Sequence, residues 1–520
     1  MNKKTALYGL FILVVLGALL FRLIQLDLRP MHHDEANQAV KFGILLEKGE
    51  YRYDRTEHHG PSLYYLSLPF AWVASGTSFS SLNEETLRLL PMILGVGIIL
   101  LFLLLKDGVS LEAAVFAGIF AAVSPAMVFY SRFYIQETLL VFFLVGAVAA
   151  AWRYTRTRSP FWAAASGLFC GMMFATKETC IIAFGAMLAA LFLTRISLKK
   201  SVRQEDMPDM PKISHLLIFL GTGALVSLLL YSSFFQNPKG ILDSVLAFGS
   251  YLGRAGDAGF HSHPFYYYLK MLAFSQYGNG PVWSEALILG LALVGGYAAF
   301  RPLTNGDSVP FFLRYVAFYT LLATAAYSLI PYKTPWNMLP FYIGFILLAG
   351  YGASFLLRIS KKLIFRIAVI LVLGLGLIHL GMQCYRANFK YYADSRNPYV
   401  YAHTSMDFMN LIQRINDLSP HHPDQEQMLI KVITQPDEAW PLPWYLRGFG
   451  RVGYWQEVGE AGALANVPLI ISSLDKTSQL QPYLEDNHLL EYYELRPGIL
   501  LALYIDQNLW DTFLQKKKVN

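Results

Sequence analysis

Long apolar blocks separated by short polar breaks dominate the first three quarters of the chain. They fall at about 6–26, 62–75, 89–105, 113–131, 138–152, 161–175, 179–194, 214–235, 283–300, 312–330, 336–357 and 363–383. Most approach the ~20 residues that a helix needs to cross hydrocarbon. The block 62–75 is the exception: it is short, contains Pro69 and is rich in aromatics, which predicts a helix lying along the membrane interface. From residue 384 the pattern changes. Polar helix-like stretches alternate with β-type runs at 428–434, 469–473 and 499–505, and Phe408, Leu411, Ile412 and Ile415 share one face of a helix expected over 404–417. A small mixed α/β domain is expected there.

Composition sharpens this into a membrane protein. Of 520 residues, 55% are hydrophobic and 15% charged, against roughly 25% charged in soluble domains. The net charge of +6 reads as topology and not as nucleic-acid binding, because inside loops collect Lys and Arg. Lys3 and Lys4, then Arg153, Arg156 and Arg158, then Arg195, Lys199, Lys200 and Arg203, then Arg358, Lys361, Lys362 and Arg366 mark the inside loops. Parity then requires that one block before residue 150 not span, and 62–75 is the best candidate, leaving about eleven transmembrane helices. The N-terminus falls in the cytoplasm at the end of an uncleaved first span, and the C-terminal region falls outside the plasma membrane. The expected division is a membrane domain, 1–383, and an extracytoplasmic domain, 384–520. The external face collects 27–87, 131–137, 176–178, the long loop 236–282 and 331–337. Cys170, Cys180 and Cys384 show no metal or disulfide spacing and read as apolar fillers.

Charges that topology does not explain cluster on that external face. His32-His33-Asp34-Glu35 follows the first span closely, and carboxylates so near a bilayer are costly unless solvated or paired. Asp34 suits a general base; equally, Asp34 and Glu35 suit the first turn of a helix over 35–48. Arg52, Arg55, Glu57, His58 and His59 close the same loop as phosphate partners or as ordinary polar loop. The four His side chains lack a metal-ligand spacing. Arg132 and Glu137 occupy a tight turn that needs neither charge for solubility; Arg offers a planar fork to phosphate, and Glu137 could position it, hold a hydroxyl or share a divalent ion with Asp34. Lys177 and Glu178, and Lys333 beside Tyr332, fill two further turns. His261 and His263 sit in the aromatic loop 236–282, which suits either an interfacial belt or sugar stacking. No P-loop, Rossmann glycine pattern, Ser–His–Asp set or Cys–His zinc spacing occurs.

These residues resemble the GT-C superfamily of polyprenyl-phosphate-dependent glycosyltransferases. The likeness rests on Asp34-Glu35, on His58-His59-Gly60-Pro61-Ser62-Leu63-Tyr64-Tyr65, on Tyr130-Ser131-Arg132 followed by Gln136-Glu137-Thr138-Leu139, and on Tyr332-Lys333-Thr334-Pro335-Trp336-Asn337. The strings look closest to a prokaryotic family with archaeal members associated with lipid-linked glycan flippase activity. The resemblance implies an α-helical polytopic GT-C-like fold and transfer of a sugar from a polyprenyl-phosphate carrier to a glycan, lipid or protein hydroxyl at the external face. It implies Asp34 as the catalytic carboxylate, Glu137 as the second acidic residue and Arg132 on the donor phosphate. The residues on the external face add Glu35 to the catalytic candidates, Lys177, Lys333, His58 and His59 to the phosphate partners, and Glu178, Tyr332, His261 and His263 to the substrate contacts. Metal use is left open, with Mg or Mn as the candidates. Where aminoarabinose transferases carry Glu-Lys, this chain has His58-His59, which is mostly uncharged near neutral pH. The rival is a non-catalytic flippase accessory or a transporter, which should place ionisable groups near the bilayer midplane.

Overall fold

The structure is a computed structural model describing residues 2–56, 58–199, 208–256, 259–301, 311–484 and 487–517. Glu57, Lys200 and Arg203 lie outside the described residues. The apolar portion folds as α1 (Lys3–Leu23), α2 (His33–Lys48), α3 (Ser62–Ala74), α4 (Glu84–Leu101), α5 (Lys106–Val109), α6 (Leu111–Val123), α7 (Pro125–Ser131), α8 (Gln136–Thr157) and α9 (Pro160–Phe174). It continues through α10 (Cys180–Lys199), α11 (Ile213–Tyr231), α12 (Lys239–Gly256), α13 (Tyr267–Ala273), α14 (Ala286–Phe300), α15 (Phe311–Leu329), α16 (Leu339–Ile359) and α17 (Leu363–Tyr385).

Eight of the described helical stretches are long and apolar enough to cross a membrane, or nine if α6 and α7, bent by 64°, form one broken span. Ser124 sits at that bend, where its hydroxyl accepts from Met127 N–H and caps α7. The apolar helices α9 and α14 are shorter, yet both are locked into the bundle by glycine. A Cβ on Gly167 of α9 would lie 2.2 Å from the Phe219 carbonyl of α11, and one on Gly295 of α14 would lie 2.0 Å from the Leu348 carbonyl of α16. Small residues let helix backbones approach in lipid, where no hydrophobic force drives them together. Helix α3 has 13 residues with Pro69 inside and is absent from the crossing set.

Beyond α17 a π turn (Arg386–Lys390) leads into a five-stranded sheet domain. Its strands are β1 (Leu429–Ile433), β2 (Arg451–Trp455), β3 (Leu469–Ser473), β4 (His488–Arg496) and β5 (Ile499–Asp506), in the order β2-β1-β3-β5-β4. β1 runs parallel to β2 and β3, while β5 is antiparallel to β3 and β4. Helix α18 (Met406–Leu418) buries Phe408, Leu411, Ile412 and Ile415 against the sheet core, the face its periodicity marks.

A strap over 397–404 joins this domain to the start of α2. The Tyr401 carbonyl lies 3.1 Å from His32 Nε2, Thr404 Oγ1 donates to the Met31 carbonyl at 2.7 Å, and Met31 N–H donates to Tyr445 Oη at 2.9 Å. The strap is anchored below by Glu285, whose carboxylate accepts from Tyr399, Tyr342 and Ser124 hydroxyls and from Ala126 N–H.

The start of α2 is fixed from the other side by a buried ion pair. Arg88 Nε and Nη2 donate to the two Glu35 oxygens at 2.8 Å each, and neither side chain is exposed. The remaining capacity of Glu35 is taken by Tyr134 N–H at 2.8 Å and His32 N–H at 3.1 Å, the latter closing a capping box. Arg88 spends its Nη1 on the Leu26 and Arg29 carbonyls. Burial alone would raise the Glu35 carboxyl, but Arg88 outweighs it and holds it below the ordinary glutamate value. Removing one partner of such a pair leaves a bare buried charge, a loss of about 3–5 kcal/mol. Arg88→Met is expected to lower the thermal midpoint in detergent by that measure, and Arg88→Met/Glu35→Leu to recover part of it. Because the folded Glu35 carboxyl is depressed, its contribution is fully present above the unfolded glutamate value and is lost as pH falls through the folded one. The gap between wild type and the double variant is therefore expected to close only in strongly acid buffer.

Candidate active site

Four helix starts open on one cavity of about 370 Å³. The first turn of α2 contributes His33, Asp34, Asn37 and Gln38; the start of α8 contributes Gln136 and Glu137; the turn into α10 contributes Lys177, Glu178 and Thr179; and the 3-10 turn ahead of α16 contributes Trp336 and Asn337. His59, Phe248, Tyr251, Tyr327, Tyr332 and Thr334 complete most of the wall. Helix N-termini carry partial positive charge and unpaired N–H groups, so this end of the bundle favours anions. All five segments expected at the external face send residues into this one cavity, although 248 and 251 lie on a helix within the long loop.

Asp34 is the carboxylate the protein leaves open. Its side chain is 43% exposed, and no described donor bonds its oxygens; His32 Nδ1 lies 3.8 Å away. That nitrogen accepts from Asp34 N–H at 3.0 Å and thus carries no proton, so the contact is not an ion pair. Enclosure in the cavity pushes the Asp34 carboxyl up, but its basic neighbours, Lys177 among them, outweigh it and hold it below the ordinary aspartate value. The N-cap of α2 is His32; Glu35 completes its capping box from the third position, and Asp34 takes no part through its side chain.

The other two cavity carboxylates are each paired with a cation or a cation in waiting. Lys177 Nζ pairs with Glu137 Oε1, both side chains buried, and Glu137 is the sole side-chain partner of that ammonium among the described residues. His59 Nδ1 lies 2.7 Å from Glu178 Oε2, and the Tyr53 hydroxyl donates to the other oxygen at 2.9 Å. Burial pushes the Glu178 carboxyl up, but His59 and these hydrogen bonds bring it below its ordinary value. A carboxylate only accepts, so the imidazole proton sits on Nδ1 and His59 Nε2 is left for the cavity.

The remaining expected residues divide. Tyr332 lines the cavity; Glu35, Arg132, His58, Lys333, His261 and His263 do not. Glu35 is consumed by Arg88, which removes it from the catalytic set. Arg132 is spent on the C-terminal end of α1: Nη1 donates to the Phe21, Arg22 and Ile24 carbonyls and Nη2 to the Gln25 carbonyl. An orphaned helix end demands such a cation, and a guanidinium so used is not a phosphate ligand. Lys333 Nζ donates to the Ile330 and His263 carbonyls just behind the Tyr332 wall. His261 Nδ1 contacts the Tyr401 hydroxyl at 2.8 Å, and His263 stacks on Tyr267.

Asn37 and Gln38 were legible and overlooked, since they follow Asp34 at the helical spacing that puts them on its face. Tyr251, Tyr327 and Trp336 carry no such signal; only the fold brings them here. A divalent ion fits poorly. Among the described residues no three His, Cys, Asp or Glu side chains converge as metal ligands, and Glu137 and Glu178 already face Lys177 and His59.

Residues 68–205 match the profile of the dolichyl-phosphate-mannose-protein mannosyltransferase family. No curated protein matches the chain. Among solved structures, the ArnT protein of Cupriavidus metallidurans in its apo state superposes with a TM-score of 0.63 at 14% identity, over 96% of this chain and 98% of that one. The same protein bound to undecaprenyl phosphate gives 0.60 at 15% identity, over 95% and 98%. The Archaeoglobus fulgidus oligosaccharyltransferase AglB, in complex with an inhibitory peptide and a dolichol-phosphate, gives 0.54 at 13% identity, over 98% and 77%. The chain thus shares the overall fold of these ArnT and AglB structures, mostly helical with a small C-terminal sheet domain.

Gly60 sets the distance between His59 and Glu178. A Cβ there would sit 2.3 Å from the Ala175 carbonyl, which also accepts from Ser62 N–H at 2.9 Å. Gly60→Ala must push the 58–62 segment off the Lys177 turn. It is expected to cost about 1–3 kcal/mol of stability, as overpacking does, read as a lower thermal midpoint, and to loosen the His59–Glu178 contact, read as a shifted imidazole resonance.

Proposed function

We propose that this protein transfers a sugar from a polyprenyl-phosphate donor to an acceptor hydroxyl, at the end of the bundle that carries the sheet domain and faces the outside of the plasma membrane. The observation that carries this reading is the company Asp34 keeps: an ionised carboxylate with no donor on its oxygens among the described residues, in one cavity with Lys177 and His59. An open base beside a lysine and a histidine suits attack by a hydroxyl on a phosphate-activated carbon.

Asp34 takes the proton of the acceptor hydroxyl as its oxygen bonds to the anomeric carbon. The bond from that carbon to the phosphate oxygen breaks, and its electron pair stays on the phosphate. Lys177 and a protonated His59 Nε2 meet that developing charge, aided by the starts of α8 and α10. A single displacement inverts the anomeric centre. The bond donors used are Lys177 and His59; Arg132 and Lys333 support the frame around them. A polyprenyl phosphate is the ligand class because the fold's relatives are seen with undecaprenyl phosphate and dolichol-phosphate. The apolar half of the wall, Ile181, Ile182, Phe248 and Ile330, suits the first isoprene units.

The test is label transfer from a panel of polyprenyl-phosphate sugars to a membrane extract, using purified protein in lipid. Asp34→Asn is expected to lose about 10²–10⁴-fold in rate with donor binding retained. Because the Asp34 carboxyl is depressed, the base stays ionised above its folded value, so its protonation should cost no rate until the pH falls below the ordinary aspartate range. Donor binding with no transfer from wild type would replace this reading with that of a binding-only flippase accessory.

A further inference from the structure

Two carboxylates in one cavity repel when both are ionised unless a cation stands between them. Asp34 and Glu137 are such a pair, on the first turns of α2 and α8. Either a divalent ion or a protein cation can serve there, and the chain supplies its own. Lys177 comes from the turn ahead of α10, its Nζ on Glu137. It is also among the charges that hold Asp34 ionised. The turn that delivers it is well fixed. Lys177 N–H donates to the Met173 carbonyl, its own carbonyl accepts from Cys180 N–H, and Thr176 Oγ1 donates to the Met172 carbonyl.

We infer that the Lys177 ammonium occupies the place of a divalent cation between Glu137 and Asp34, so that this site works with a built-in cation and binds no metal there. For an ion to enter, Glu137 would have to leave a buried partner and Lys177 would have to find another in an apolar wall. The third carboxylate, Glu178, is held by His59 and Tyr53 and is not free to complete a ligand set. A lysine gives one positive charge and N–H donors in place of open coordination positions. A phosphate is then gripped by hydrogen bonds from Nζ and not bridged by a metal.

The inference rests on the transferase reading only for its catalytic meaning; the cation site itself can be read without turnover. Chelator-stripped protein in lipid would be titrated with Mn²⁺, with free Mn²⁺ followed by its paramagnetic resonance signal. Wild type and Lys177→Arg are expected to leave Mn²⁺ free. Lys177→Met, which bares both carboxylates, is expected to take up Mn²⁺ stoichiometrically, and Lys177→Met/Glu137→Gln to lose that uptake. Mn²⁺ uptake by wild type that Glu137→Gln or Asp34→Asn removes would overturn the inference. So would a folded Lys177→Met protein, with unchanged elution and thermal midpoint, that takes up no more Mn²⁺ than wild type. If Lys177→Met fails to fold, wild type against Glu137→Gln still decides. Label transfer by chelator-stripped wild type is expected to continue. If no transfer is seen with or without Mn²⁺ while the binding pattern holds, it is the transferase reading that fails and not the cation assignment.

Discussion

The Glu35–Arg88 pair is the constraint on which the rest of the site depends. Glu35 is fully buried at the third position of α2 and spends both oxygens on Arg88, Tyr134 N–H and His32 N–H. Those four bonds fix the rotation of α2 about its axis and tie its first turn to α4 and to the turn before α8. A helix advances about 100° per residue. Once Glu35 is aimed into the core, Asp34 has to point elsewhere, and elsewhere is the cavity. The orientation of the open carboxylate thus follows from the saturation of its neighbour.

The sheet domain acts on the same turn from the other side. Its strap takes His32 Nε2–H on the Tyr401 carbonyl and Met31 on Thr404 and Tyr445. His32 is then fixed as the neutral imidazole that accepts Asp34 N–H, and burial holds its ring below the ordinary histidine value. The domain is therefore a part of the site's frame, holding Met31 and His32 while none of its own residues lines the cavity. His33, which lines the cavity, has its ring 5.9 Å from that of Trp440 in the sheet domain.

Much of the fold was legible because lipid imposes a harsh rule: every spanning segment must be apolar and must satisfy its own backbone. Block lengths give the helices, and the shared face of Phe408, Leu411, Ile412 and Ile415 gives α18 with its register. The strands β2 and β4 were not legible. β2 (Arg451–Trp455) is largely exposed at the sheet edge, and β4 (His488–Arg496) is only half buried, so neither shows a clean apolar alternation. The grouping of Glu137, Lys177 and Glu178 with Asp34 was legible from topology alone, since all sit at turns on one face.

The roles within that grouping were harder to read, and the misreadings share a cause. Charged residues come here as neighbours in sequence: His32-His33, Asp34-Glu35, His58-His59. In each pair one member faces the cavity and the other does not, because consecutive side chains on a helix or an extended segment diverge. Sequence marks the pair as costly and therefore meaningful; it does not say which member bears the chemistry and which builds the frame. Arg132 belongs to the same class of ambiguity. A buried guanidinium in a tight turn can serve a phosphate or the bare carbonyls of a helix end, and the two demands look alike in one dimension. What separates them is whether the carbonyls are within reach. Here α1 ends at Leu23 with the Phe21, Arg22, Ile24 and Gln25 carbonyls converging on one guanidinium. The helix end therefore takes the arginine.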